Sequence, residues 1–276
     1  MSRILITGKT GQVGYELERS LQGLGEIIAL DRSQMDLADL DQVRDVIRRI
    51  KPTLIVNPAA YTAVDKAESE PELALRINGE APGVMAEEAK KLGAAMIHYS
   101  TDYVFDGSKD GPYVETDATC PINVYGSSKL AGEQAIQAAG IPHLILRTSW
   151  VYSTHGKNFL LTMLRLAKER EELSIVSDQF GAPTWSRTIA DTTAHIVAQS
   201  LAASDKQAWW QARSGLYHLT AQGRTSWFGF TEAIMTHESI EKRPRLKPIL
   251  AQDYPVPAKR PTNSVLSSQR LIDIFC

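Results

Sequence analysis

The 276-residue sequence lacks several things, and each lack excludes a class of protein. It has only two cysteines, Cys120 and Cys276, too few for a disulfide framework, so a reducing cytoplasm is the expected compartment. Charge of one sign is not in excess: 30 basic residues against 32 acidic ones leave a formal net charge of -2. Neither nucleic acid nor an anionic membrane surface is an expected partner for so balanced a chain. No apolar run reaches the roughly 18 residues that a membrane-spanning helix needs. The opening "MSRILITG" is too short and too soon broken by glycine for a signal peptide. There is no internal repeat and no low-complexity segment. These exclusions leave a soluble intracellular globular protein, long enough for one large domain or two modest ones.

What is present is alternation. "RILIT", "IIAL", "TLIV", "AAMIHYS" and "HLILRTSW" are short apolar runs rich in β-formers. Between them lie segments with apolar residues at helical spacing, such as "YELERSLQGLG", "LDQVRDVIRRI" and a longer stretch from about 72 to 92. Buried strands alternating with helices predict an α/β fold with a doubly wound parallel sheet of Rossmann type, beside a smaller substrate-binding lobe. Residues 1–150 and about 172–204 are assigned to the nucleotide-binding part. Residues about 151–171 and 205–276 are assigned to the second lobe. "LSIV" continues the alternation, "AASDKQAWWQARSG" reads as a polar connection, and "RLKPILAQDYPVPAKRPTNS" as mostly extended or looped. In such folds chemistry belongs at the carboxyl ends of the strands.

The first strand runs directly into "TGKTGQVG", which opens the first helix. Gly8, Gly11 and Gly14 permit a tight turn, close approach of backbone N–H groups to a pyrophosphate, and tight helix packing; Gln12 and Val13 lie among them. A plain glycine-rich turn is the alternative, and the strand–glycine–helix context favours dinucleotide binding. The phosphate loop of nucleoside triphosphatases does not fit, because its G-x-x-x-x-G-K-[ST] spacing is not met. About 20 residues on, Asp31 can accept from an adenosine ribose, while Arg32 suits a 2′-phosphate; capping a turn is the other use of Asp31. Asp36 and Leu37, in "MDLAD", are candidates for bracketing adenine.

At the other end of the expected cleft, "HYSTDYVFDG" brings Ser100, Thr101 and Asp102 out at a strand terminus. The next helix carries Tyr125 and Lys129, four residues apart and so on one face. A free phenol titrates near pH 10. A neighbouring ammonium would lower that value, and a hydroxyl from Thr101 would complete an electrophilic cradle for a carbonyl. Alone, such a pair is more often a surface contact. With the glycine turn and the "ST" strand end, it reads as a proton donor and its tuning charge.

This constellation resembles the extended short-chain dehydrogenase/reductase superfamily, which binds NAD(P) and uses Ser/Thr, Tyr and Lys. Further segments, "VNPAAYTAVDKAESEPE", "RTSWVY", "KNF", "MLRLAKEREEL", "DQFGAPT", "GLYHL" and "RPTNS", extend the resemblance from Ile4 to about Ser268. "AVDKAESEP" and "DQFGAPT" point to its branch in dTDP-L-rhamnose and lipopolysaccharide O-antigen biosynthesis. The resemblance implies NADPH- or NADH-dependent reduction of the 4-keto group of dTDP-4-dehydro-L-rhamnose. It implies that Ala59, Ala60, Tyr61 and Tyr99 line the cofactor with Tyr125 and Lys129, and that Thr101, Asp102 and Trp150 meet the sugar. It also makes Asn158 and Arg260 candidates for the diphosphate, whose anionic oxygens suit a fork of donors. Core packing is the plain alternative for Trp150, and a solvated charge for Arg260.

Two rivals come with that resemblance. Epimerases and dehydratases share the fold, but dehydratases add acidic residues after the threonine, whereas Tyr103 follows Asp102 here. A non-catalytic regulatory subunit, such as the beta subunit of methionine adenosyltransferase, also has this fold; joint retention of Thr101, Tyr125 and Lys129 favours an enzyme. Some relatives dimerise through magnesium held by acids of the first helix, of the segment after "GAPT" and of a terminal helix. Glu16 suits the first position, but Arg187 stands at the second, and the final "SSQRLIDIFC" reads as a terminal helix missing or cut short. No structural metal and no metal-dependent dimer are therefore expected.

Overall fold

The computed structural model describes residues 2–237 and 243–276. In chain order the elements begin with β1 (Arg3–Ile6), α1 (Gln12–Ser20), β2 (Glu26–Ala29), α2 (Leu40–Ile50) and β3 (Leu54–Asn57). Two short helices, α3 (Val64–Ala67) and α4 (Pro71–Leu75), lead through a π-turn at Arg76–Glu80 into α5 (Ala81–Leu92). Then come β4 (Ala95–Thr101), α6 (Val124–Ala139), β5 (His143–Thr148), β6 (Val151–Tyr152), α7 (Phe159–Glu169) and β7 (Glu172–Val176). After β8 (Phe180–Gly181) and β9 (Thr184–Trp185) follow α8 (Ser186–Ala202), α9 (Lys206–Arg213) and β10 (Gly215–His218). The chain closes with β11 (Thr225–Ser226), α10 (Trp227–Met235), β12 (Arg245–Ile249) and α11 (Gln269–Phe275).

The expected doubly wound α/β sheet is present: six strands, in the order β10-β5-β4-β3-β1-β2, all pairing in parallel. Side chains along a strand alternate between faces, and the core divides accordingly. Ile4 and Ile6 pack with Leu17 of α1, Ile189 of α8 and Leu271 of α11. Leu5 and Ile55 point the other way, towards Val43 of α2, Met85 of α5 and Ile136 of α6. Turn chemistry sets the helix ends. Asp39 caps α2 by accepting from Gln42 N, and Asn123 caps α6 by accepting from Gly126 N. Gly93 and Gly140, in the left-handed conformation, end α5 and α6.

Two local expectations are corrected. "LSIV", read as continuing the main alternation, is β7, and it pairs with β12 away from the central sheet. Its partners form a separate apolar cluster, with Met163 and Ala167 of α7 and Ile234 of α10. The sixth strand of the main sheet is instead β10, from the stretch assigned to the second lobe. The supposed polar connection is the helix α9: Asp205 caps it at Ala208 N, Trp210 is buried, and Trp209 packs near Phe275. The terminal segment forms the seven-residue helix α11, whose Leu271 and Phe275 enter the core. Among the described residues, no helix is long and apolar enough to cross a membrane.

Candidate active site

A cleft of about 860 Å³ opens along the carboxyl ends of β1, β3, β4 and β5. Its first wall is the glycine turn. Gly8 has φ +58°, and a Cβ on Gly14 would stand 2.1 Å from Gly8 O, so the turn and the start of α1 touch through backbone alone. Gly11 precedes α1 without a side-chain cap, which leaves first-turn N–H groups facing the cleft.

The opposite wall is built by β4 and α6. Thr101 ends β4 and begins a 3₁₀ turn at Asp102–Val104, its hydroxyl accepting from Tyr103 N (3.2 Å) and donating to Asp102 Oδ1 (3.0 Å). The cap at Asn123 starts α6 so that Tyr125 falls in its first turn. Gly126 must follow: a Cβ there would lie 2.1 Å from the carbonyl oxygen of Tyr103. The Tyr103 and Tyr125 rings meet edge to face at 5.5 Å. The Thr101 hydroxyl neighbours the Tyr125 phenol in the same wall of the cleft. Lys129 is fully buried, with Nζ 2.6 Å from the carbonyl oxygen of Tyr99 and 3.2 Å from His98 Nε2.

The electrostatics differ from the simple expectation. Burial, and then the charge of Asp102, push the Tyr125 phenol up to about 12, opposed by the Thr101 hydroxyl. The ammonium of Lys129 is directed at His98 and Tyr99, so it does not offset that rise. Burial also brings Lys129 down to about 8, opposed by Glu133, and pushes the Asp102 carboxyl up to about 6, opposed by hydroxyls of Ser264 and Thr101. Where burial dominates in this way, charge development is expensive unless a donor is already in place.

Most residues singled out from the sequence line this cleft: Gly8, Gly11, Gln12, Val13, Gly14, Asp36, Leu37, Ala59, Ala60, Tyr61, Tyr99, Thr101, Asp102, Tyr125, Lys129 and Trp150. Tyr99 contributes ring and backbone, since its hydroxyl turns away to Thr193 (2.7 Å). Three residues do not line it. Asp31 bonds Ser33 N and Oγ and faces Lys9 Nζ at 3.6 Å, so it caps its own turn. Asn158 caps α7 and donates to Gln12 Oε1 (2.9 Å) and Ser153 O, holding that loop against the glycine turn. Arg260 is paired with Asp65 at 2.8 Å.

Thr148, Lys157 and Trp227, which no sequence motif singles out, also line the cleft. Thr148 follows the same strand-end rule as Thr101 and was findable. Trp227, at the start of α10, is far away in sequence and carried no signal. It stacks on Trp150 with ring centroids 3.5 Å apart and planes 8° from parallel. Trp150 itself holds φ 48°, a conformation that bulky residues rarely adopt, and it packs so closely on Gly181 that a Cβ there would come within 2.4 Å.

A nicotinamide dinucleotide fits these residues. The glycine turn would be filled by any added Cβ, and two buried hydroxyls of the cleft, Ser100 Oγ and Thr148 Oγ1, have no partner among the described residues.

Comparison with known proteins adds the following. The family described as the RmlD substrate binding domain matches residues 1–276. A dTDP-4-dehydrorhamnose reductase of Burkholderia thailandensis is 51% identical, over 99% of this chain and 93% of its own length. The protein of that name from Escherichia coli K12 is 48% identical, over 99% and 91%. Among solved structures, dTDP-4-dehydrorhamnose reductase from Bacillus anthracis in complex with NADP superposes with a TM-score of 0.89 at 35% identity, covering 99% of this chain and 92% of that one.

Proposed function

This chain belongs to the RmlD substrate-binding-domain family of dTDP-4-dehydrorhamnose reductases, and from that premise we propose that it reduces the 4-keto group of dTDP-4-dehydro-L-rhamnose, giving dTDP-L-rhamnose. When bound, NADPH or NADH supplies the hydride. The glycine turn, Asp36, Leu37 and residues 59–61 hold the coenzyme. Thr101 and Tyr125 receive the sugar carbonyl between their hydroxyls, which polarise it. As the C4 oxygen gains charge, the Tyr125 phenol gives it a proton, and Thr101 steadies the phenolate left behind. Lys129 supplies a fixed positive charge at the same wall and a donor for the coenzyme ribose. Asp102 and Trp150 orient the sugar.

The observation that carries this reading is the convergence of Thr101, Tyr125 and Lys129 on one cleft with the glycine turn. A phenol at about 12 is protonated at neutral pH, the state a donor needs. The test is consumption of NADPH or NADH when the 4-keto sugar nucleotide is added, with dTDP-L-rhamnose identified as the product. No coenzyme oxidation with either cofactor would overturn the proposal.

A further inference from the structure

Lys129 is held by more than the roles above require. It is 1% exposed, and the nearest acid along its own helix, Glu133, is committed to Arg147 through bonds of 2.8 and 2.6 Å. Its side-chain neighbour is instead His98, on β4 and equally buried. The other ring nitrogen, Nδ1, lies 3.0 Å from the side-chain amide of Asn57, which ends β3. That amide lies 2.6 Å from the hydroxyl of Thr7, just beyond β1, and the same hydroxyl accepts from Ala59 N on the cleft wall. A buried polar chain thus crosses three adjacent strands, from the foot of the glycine turn to the lysine.

Such a chain is costly unless every member is satisfied. Met96, two residues before His98 and so on the same face of β4, shows that an apolar side chain fills this layer well. The chemistry of the ammonium explains the alternative. An ammonium only donates. Facing it, His98 Nε2 must present a lone pair, so the ring proton resides on Nδ1, where an amide oxygen has to receive it. Asn57 can present either end of its amide to each neighbour. In the structure the amide oxygen accepts from Thr7 and the amide nitrogen faces His98 Nδ1; turning the amide, which the two ends permit, gives its oxygen to the His98 Nδ1 proton and its nitrogen to the Thr7 oxygen. Two of the three N–H bonds of Lys129 are then fixed, by Tyr99 O and His98, and the third is left for a ligand in the cleft.

We infer that His98 is a positioning residue for the reaction: its Nε2 accepts from the Lys129 ammonium and holds it against the cofactor wall, while Asn57 fixes the ring tautomer. The inference rests on the role given to Lys129 above. The histidine itself stays neutral, because burial first and the neighbouring Lys129 charge second hold it well below its ordinary value. The groups that bear on Lys129 are His98 and the Tyr99 carbonyl from β4, Glu133 and Tyr125 from its own helix, and Asp102 just beyond β4 on the same wall.

The experiment has two arms. In the first, nitrogen-15 histidine NMR of the wild-type protein, with His98 assigned by its loss in His98→Gln, should show a neutral ring protonated on Nδ1. A ring protonated on Nε2, or one that gains a second proton near neutral pH, would overturn the inference. The second arm compares His98→Leu with His98→Gln, whose side-chain oxygen can stand in for Nε2. His98→Leu should lower kcat about tenfold to a hundredfold, with KM for the sugar nucleotide changed by less than about threefold. Loss of the acceptor disfavours the ammonium, so the alkaline limb of the rate profile should move down by about one pH unit. His98→Gln should restore most of the rate and the limb. Equal impairment of both variants, or a Leu variant with near-normal kcat and an unmoved limb, would assign His98 to packing alone. If His98→Leu fails to fold, the tautomer measurement still decides. Wild-type protein without turnover would remove the proposed function while leaving that measurement intact.

Discussion

Tyr125 and Asp31 show how far a single residue can be read. The Y-x-x-x-K spacing placed Tyr125 and Lys129 on one face of a helix, and the strand-end rule placed Thr101 beside them; all three line one cleft. What the spacing hid was direction, since the Lys129 ammonium turns towards His98 rather than the phenol. We expect Tyr125→Phe to lower turnover at least about a hundredfold while coenzyme affinity stays within a few-fold, because the phenol is asked only for a proton. Near-normal turnover in that variant would remove it from the mechanism. The sequence allows Asp31 two uses, as a ribose acceptor or as a turn cap. The structure shows the cap, with Ser33 first and Lys9 behind it holding the carboxyl below its ordinary value. Arg32 lines the cleft mouth instead. Asp31→Ala would free Lys9 from its partner and remove a negative charge beside Arg32, which lines the cleft. The ratio of kcat/KM for NADPH over NADH should then rise about fivefold to tenfold. An unchanged ratio would leave Asp31 with no part in coenzyme choice.

At the level of elements, apolar periodicity located most helices and strands, because amphipathic faces and buried strands leave a pattern in every turn. It failed where pairing is decided by distant partners. Nothing within "LSIV" says that β7 pairs with β12 some 70 residues later rather than joining the main sheet. The polar look of 203–214 concealed α9, whose two tryptophans are apolar anchors amid solvated residues. The α2–α5 contact offers a clean test of element docking. Glu88 of α5, 1% exposed, accepts a two-pronged contact from Arg48 of α2 and a further bond from Lys91. The Arg48 hydrogen bond leads in bringing Glu88 down to about 2, against burial. A lowered carboxylate stabilises the fold above its unfolded value of about 4.5, and that contribution is lost as pH falls through about 2. With both cations more than half exposed, screening discounts the effect to about 1–2 kcal/mol. Glu88→Gln should therefore lower the urea midpoint at neutral pH and converge with wild type towards pH 2. A difference of the same size at both ends would mean that the charge is not what matters.

For the whole molecule, the sequence specified the doubly wound frame but not how the remaining segments meet it. The cleft is closed by Trp150 from the end of β5 and Trp227 from α10, two residues that only the assembled chain brings into contact. Association is the other property at this scale. The resemblance raised a magnesium-bridged dimer, with Glu16 on α1 and a residue after "GAPT" as ligands. In the structure α1 packs directly on α8, and the acid of α8 that meets α1 is Asp191, which accepts from Ser20 Oγ at 2.6 Å. Its second oxygen faces Arg187 one turn earlier, at 3.7 Å. A hard divalent cation needs several oxygen ligands and gains nothing from a guanidinium beside them. To bind here it would have to displace Arg187 and break the Ser20 contact. We therefore expect sedimentation to give the same species with added magnesium and with a chelator, at equal protein concentration. Arg187→Glu would supply the missing acid, so a dimer that forms only in that variant and only with magnesium would confirm that Arg187 is the obstacle. A wild-type dimer that dissociates on chelation would show that the cation is held despite the arginine.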